Sequence, residues 1–265
     1  MANPNNIGKF YNTRADKGER MFYLIYSFIL GTVIGSFLNV VIYRLPRGQS
    51  LSYPGSSCPI CKEKIKWYDN VPILSYIALG GKCRVCKTKI SIQYPLIELL
   101  TGVLFLLVYL KFGYSLVTIK YFVFISLLLS ASIIDMKNYF IPDSLTFSLI
   151  LFGIISSFFS NVSLELAFVG AGTYAFFFTL IYGYGEYIFK KEAMGFGDIK
   201  LAAGIGSFLG YSGFLNLYIF VTVTFLLGAI ISLTLLRLKI KDRASQIAFA
   251  PYLAISGFIM MFIQL

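Results

Sequence analysis

The chain of 265 residues contains no histidine. That absence excludes Ser-His-Asp and Cys-His catalysis, and it excludes the paired-histidine zinc site of HExxH proteases. Charge is also scarce. Asp, Glu, Lys and Arg together make up 13% of the residues, against roughly 25% in soluble domains. Acidic residues are the rarer sign, 12 against 23 Lys and Arg. No internal repeat is visible. If the chain is a hydrolase, its few carboxylates are the leading candidates for the chemistry.

Apolar sequence fills the space instead. Hydrophobic residues are 57% of the total, which marks a polytopic membrane protein. A crossing takes about 20 apolar residues. Such runs place spans at 21–43, 93–110, 116–135, 143–160, 164–189, 199–211, 213–236 and 247–264. The expected fold is all-α, with about eight transmembrane helices. The sixth run is short and carries Gly204, Gly206 and Gly210. It also reads as a tilted, buried or half-inserted helix, and seven spans result if it merges with its neighbour. Residues 1–20 are polar and patternless and read as a leader or disordered tail, with Met21 a natural start. The remaining division is a first helix over 21–43, a polar cytoplasmic domain over 44–92, and a membrane core over 93–265.

The net charge of +11 does not point to nucleic acid, because the basic residues cluster between apolar runs. The 44–92 loop, Lys137, Lys190 with Lys191, and the Arg237–Arg243 stretch are basic, while 161–164 and 211–214 hold neither Lys nor Arg. Lys111 and Lys120 break the alternation. By the positive-inside rule, the basic gaps face the cytoplasm and anionic lipid.

Two acidic residues lie at span boundaries. Asp135 closes the apolar run 121–134, and Asp198 lies in Gly195-Phe196-Gly197-Asp198-Ile199-Lys200. A carboxylate at such a depth is costly, so it tends to be functional or paired. Two spans separate them, which puts both on the cytoplasmic side. An aspartyl dyad between helices is therefore expected. Gly195 and Gly197 allow backbone or substrate to approach the carboxylate closely, and Lys200 supports the same loop. Plainer readings coexist: Asp198 as a helix N-cap, and Asp135 with Lys137 as an interfacial charge pair. Glu98 and Glu186 are the runners-up for the dyad. Helix dipoles favour Asp198 as general base at a helix start and Asp135 as initial acid at a helix end.

The four cysteines form two CxxC pairs, Cys58 with Cys61 and Cys83 with Cys86, in the one long polar loop. This pattern resembles a zinc ribbon with a closed Cys₄ site and a structural role. An iron–sulfur centre and bare thiols are the alternatives. Gly80-Gly81 suits a tight knuckle before the second pair. Gly31-x-x-x-Gly35 and Gly206-x-x-x-Gly210 have the spacing of close helix packing.

Several segments together resemble the type IV prepilin peptidases, GxGD-type intramembrane aspartyl proteases. They are Gly35-Ser-Phe-Leu-Asn-Val-Val-Ile-Tyr-Arg-Leu-Pro46, Cys58-Pro-Ile-Cys61 and Trp67-Tyr-Asp-Asn-Val-Pro-Ile-Leu-Ser75. Gly81-Lys-Cys-Arg-Val-Cys86 then leads to Ile90-Ser-Ile-Gln-Tyr-Pro-Leu-Ile-Glu98. Asp135 with Ile141-Pro142-Asp143 matches the family's first catalytic segment, and Gly195 to Leu201 the second. The resemblance covers nearly everything from Met21 onward. It implies cleavage of basic leader peptides from prepilins or pseudopilins at the cytoplasmic face of the bacterial inner membrane. Many members also N-methylate the new terminus with S-adenosylmethionine. By position Asp135 and Asp198 take the catalytic roles, and the cysteines match members carrying a zinc tetrad. For the methyltransferase residues the resemblance offers the N-terminal motif and the polar loop as candidates, and the residues that bind the methyl donor are left open. The expected partners are pilin-like substrates and membrane lipid, with no nucleic acid. A proton-coupled transporter or a non-catalytic zinc-ribbon membrane scaffold is the competing reading.

Overall fold

Runs of Leu, Ile, Phe and Val with few charges form helices that are apolar on all sides, as suits burial in lipid or core. The computed structural model describes residues 15–190, 194–239 and 246–263. Among these the helices are α1 (Ala15–Arg44), α2 (Leu74–Ala78), α3 (Gln93–Phe112), α4 (Leu116–Asn138), α5 (Asp143–Ser156), α6 (Leu164–Phe189), α7 (Phe196–Leu209), α8 (Phe214–Arg237) and α9 (Ala250–Ile263). The class is all-α, as expected, and the only β pairing among the described residues is an isolated bridge between Lys82 and Lys89.

Five helices, α1, α3, α4, α6 and α8, are long and apolar enough to cross a membrane. Three of the eight expected spans are shorter. α5 and α9 have 14 residues each, and α5 continues only to Phe159 as a 3₁₀ turn. α7 also has 14 residues. At 1.5 Å per residue it is about 21 Å long, short of the ~30 Å hydrocarbon core. Its residues from Asp198 to Leu209 are buried except Lys200, which fits the buried-helix alternative for the sixth run. The first helix starts at Ala15, so the end of the 1–20 segment is helical; residues 1–14 lie outside the described residues.

The chain forms two compact units. The first comprises the chain up to Ser36 together with Cys58–Tyr114, and the second Phe37–Ser57 with Ser115–Leu265. This grouping places α3 with the cysteine loop, not with the later helices. In the first unit α1 lies directly on α3. A Cβ on Gly31 would stand 2.7 Å from Gly102 Cα, and one on Gly35 2.7 Å from Glu98 Cα. The small-residue spacing of α1 thus serves packing.

In the second unit α7 is the central element. Gly206 meets the backbone of Gly170 on α6, and Gly204 sits under Leu149 of α5. Gly257 of α9 faces Ile205. Phe208 of α7 stacks on Phe124 of α4 with ring centroids 4.8 Å apart. Small residues let α5, α6 and α9 close on α7, and that places the start of α7 among helix ends rather than in open lipid. At the end of α1, the Arg44 guanidinium donates to the carbonyls of Ser50 at 3.0 Å and Gly55 at 3.3 Å, which folds the 45–57 segment back on the helix.

Candidate active site

Asp135 is set by the end of α4. Tyr139 caps that helix in the left-handed region at φ 55°, its N–H returning to the Asp135 carbonyl. The side chain is buried. The Ala250 N–H donates to Asp135 Oδ2 at 3.0 Å, and the Phe249 N–H also donates to this carboxylate. These are the free amides at the start of α9, the positive end of a helix. Lys137 does not pair with Asp135: the ion pairs among the described residues are Arg84–Asp69 and Lys200–Asp143.

Asp198 is the third residue of α7, not its cap as one reading expected; the N-cap is Gly195. The carboxylate instead reaches back, Oδ2 accepting the Gly195 N–H at 3.2 Å, in the manner of the acidic member of a capping box. The other oxygen, Oδ1, is buried and has no hydrogen-bond partner among the described residues. The Asp135 charge lies close enough to act on Asp198. Two buried carboxyls from different helices thus lie within electrostatic reach, one satisfied by a helix start and one with an oxygen left over among the described residues.

The supporting residues fall around them. A Cβ on Gly197 would stand 3.3 Å from Ile141 Cβ, and one on Gly195 3.3 Å from Asp198 Oδ2. Bare backbone at both positions lets the segment before α5 close on α7. Lys200 Nζ donates to Asp143 Oδ1 at 2.7 Å, and it also lies over the rings of Phe196 and Phe147. This ties the first turn of α7 to the first turn of α5. Asp143 is largely exposed, so the pair contributes at most about 1 kcal/mol.

The alternatives for the dyad separate. Glu98 is buried in the first unit, and Glu186 is exposed. The Phe249–Ala250 amides were missed by sequence reasoning. Their only trace is Pro251, whose place just inside a helix start marks where free N–H groups will be.

The cysteines form a second centre. Their four sulfurs lie within 4.8 Å of one another, with Cys58 to Cys86 at 3.8 Å and Cys61 to Cys83 at 4.0 Å. Tetrahedral zinc with Zn–S near 2.3 Å requires sulfur–sulfur edges of about 3.8 Å, so the tetrad fits the ion. The two knuckles repeat one pattern. Cys58 N–H donates to Glu63 O and Lys62 N–H to Cys58 O; likewise Cys83 N–H donates to Thr88 O and Lys87 N–H to Cys83 O. The turn residues are Lys62 and Lys87, at φ 61° and 58°. Gly80-Gly81 instead shapes the approach, with Gly81 N–H bonded to Tyr76 O. Hydrogen bonding with the Thr88 side chain and backbone pulls the Cys86 thiol down, the direction that a thiolate ligand needs. Arg84 clamps Asp69 with two bonds, 2.7 and 2.6 Å, which fastens the second knuckle to the turn beginning at Trp67.

Residues 29–112 match the Bacterial Peptidase A24 N-terminal domain, and residues 122–233 match the Type IV leader peptidase family. The chain is 37% identical over 251 residues to a Prepilin leader peptidase/N-methyltransferase of Pectobacterium carotovorum subsp. carotovorum, covering 86% of this chain and 89% of that protein. A protein of the same description from Neisseria gonorrhoeae is 37% identical over 257 residues, 88% of this chain and 87% of its own length. One from Pseudomonas aeruginosa is 34% identical over 272 residues, 90% of each. No solved structure matches the chain.

Proposed function

Because the chain belongs to the type IV leader peptidase family, we propose that it is a membrane-embedded aspartic endopeptidase that removes the leader from prepilins or pseudopilins and N-methylates the new terminus. The observation that carries this reading is that Asp135 and Asp198, two buried carboxyls from separate helices, lie within electrostatic reach of each other. Family membership disfavours the transporter and scaffold alternatives.

Two carboxyls sharing a site do not both ionise cheaply, so they share one proton. The ionised member takes a proton from water as that water attacks the scissile carbonyl, and the protonated member donates to the carbonyl oxygen. Hydrogen bonds support one division of the roles. Asp135 accepts two backbone N–H groups at the start of α9, which stabilises a carboxylate. Asp198 accepts one and keeps a buried oxygen without a partner, the place a hydroxyl would use. Asp135 is therefore the general base and Asp198 the acid. This reverses the order that helix dipoles at each residue's own helix would give, because the helix that matters for Asp135 is α9.

The basic gaps support a dyad at the cytoplasmic face of the inner membrane, and α5, α7 and α9, counted with the five long helices, give the eight membrane helices of this reading. Basic leaders stay on that side while the substrate's apolar helix enters from lipid. Partners are pilin-like substrates and lipid; nucleic acid is not one. Zinc would be held by Cys58, Cys61, Cys83 and Cys86, whose role is to fold the loop. S-adenosylmethionine supplies an electrophilic methyl group when bound.

The test is a cleavage assay on a prepilin with Asp135→Asn and Asp198→Asn made separately, with and without S-adenosylmethionine. Each variant is expected to lose cleavage while the wild type cleaves without the methyl donor and methylates only with it. Full cleavage by either variant would overturn the dyad.

A further inference from the structure

Outside the dyad, one acidic side chain is buried among the described residues: Glu98 on α3, in the first unit. Its Oε2 accepts the Ile73 N–H at 2.7 Å, and it hydrogen-bonds with the Ser36 side chain. Among the described residues no Lys or Arg pairs with it. Gly35 allows this arrangement, since α1 can only bring Ser36 there by touching the Glu98 backbone. A glutamine would accept the same two hydrogen bonds at no charge cost. An uncompensated buried carboxylate is far more expensive than a buried amide, so the charge needs a reason that the fold does not supply.

The turn that covers Glu98 is strained as well. Ile73 has φ 61° and ψ −51°, and the Leu74 N–H returns to Pro72 O at 2.6 Å. This is the rare, strained form of the three-residue turn, on a β-branched residue that disfavours it. Such strain persists where surroundings hold it, and it concentrates at functional sites. Here the bond from Ile73 to Glu98 holds it. The cover is thin, since Leu74 is largely exposed.

We propose that Glu98 is the proton-accepting carboxylate of the methyl transfer. This rests on the N-methyltransferase part of the function proposed above. Methylation joins two cations, an N-terminal ammonium and a sulfonium, and a fixed negative charge offsets their repulsion. A carboxylate offers about four acceptor positions, and Glu98 uses two. The ammonium gives one proton to Glu98. Its freed lone pair attacks the methyl carbon, the carbon–sulfur bond breaks, and that electron pair stays on sulfur as a neutral thioether. A proton from the resulting methylammonium and the one on Glu98 return to water. Peptide cleavage keeps its own carboxyls in the second unit, so one chain carries two reactions at two acidic centres.

The experiment uses the full-length protein, a prepilin substrate and S-adenosylmethionine, with mass spectrometry of the mature N-terminus. Glu98→Gln, which keeps both hydrogen bonds, is expected to lower methylation at least tenfold more than cleavage, and Glu98→Asp to recover part of it. Equal loss of cleavage and methylation in Glu98→Gln would show a structural role and overturn the proposal. So would wild-type methylation in that variant. A wild type that cleaves but does not methylate would instead sink the methyltransferase reading, and this inference with it.

Discussion

At the scale of single residues, Asp135 and Asp198 reach burial by different routes. Asp135 is anchored from outside its helix by the amides at Phe249 and Ala250, whereas Asp198 is anchored within its own first turn. Loss of either removes one half of an acid–base pair, and cleavage should fall on the order of 10²–10⁴-fold in Asp135→Asn or Asp198→Asn. The pH profile of cleavage should be bell-shaped. At low pH both carboxyls hold protons and no base remains; at high pH neither does and no acid remains. A profile with a single limb would show that one carboxyl is a spectator. Lys200→Ala is a milder change. Its partner Asp143 is exposed, so unfolding should shift by about 1 kcal/mol or less, and slowed cleavage in that variant would have to come from misplacing the first turn of α7.

At the scale of elements, α7 and α9 carry the site. α7 is packed through Gly204 and Gly206, and overpacking such a contact costs typically 1–3 kcal/mol. Gly206→Leu should lower the unfolding midpoint and cleavage together, read by thermal melting in detergent beside the assay. The α9 start can be tested more locally. Ala250→Pro deletes one donor to Asp135 at a position where a helix tolerates proline. Cleavage should drop about tenfold or more, the expected scale for a lost hydrogen bond to a charged group of 1.5–3 kcal/mol. Unchanged cleavage would mean that α9 does not tune Asp135. Residues 1–14, with Lys9 and Arg14, and the charges at Lys191, Lys241 and Arg243 lie outside the described residues.

At the scale of the whole molecule, the two candidate centres lie in different compact units. The cysteine tetrad belongs to the first and the dyad to the second. Apparent zinc binding by such sites is about 10–16 kcal/mol, so stripping the metal should unfold the 58–90 loop. Limited proteolysis should then cut there first, and a Cys58→Ser, Cys86→Ser variant should contain less than stoichiometric zinc. Cleavage should suffer less than in either aspartate variant. If instead the chelated protein loses all cleavage while its loop stays protease-resistant, the metal has a role beyond folding.

Composition and local pattern determined much of this. Scarce charge and long apolar runs required helices in lipid, the absence of histidine left carboxyls, and the CxxC spacing specified two matching knuckles, because each of these follows from transfer energy or short-range geometry. The same information located Asp135 and Asp198 but not the amides that hold them. Ala250 lies 115 positions from Asp135, and no local rule connects residues so far apart. Helix length was legible only in part: 143–160, 199–211 and 247–264 are apolar enough to suggest crossings, yet α5, α7 and α9 stop short. Hydropathy records a preference for leaving water and does not distinguish lipid from protein interior. Only the tertiary contacts, with Gly206 against Gly170 and Gly204 under Leu149, show that α7 is surrounded by other helices, and so decide that the carboxyl in its first turn is buried.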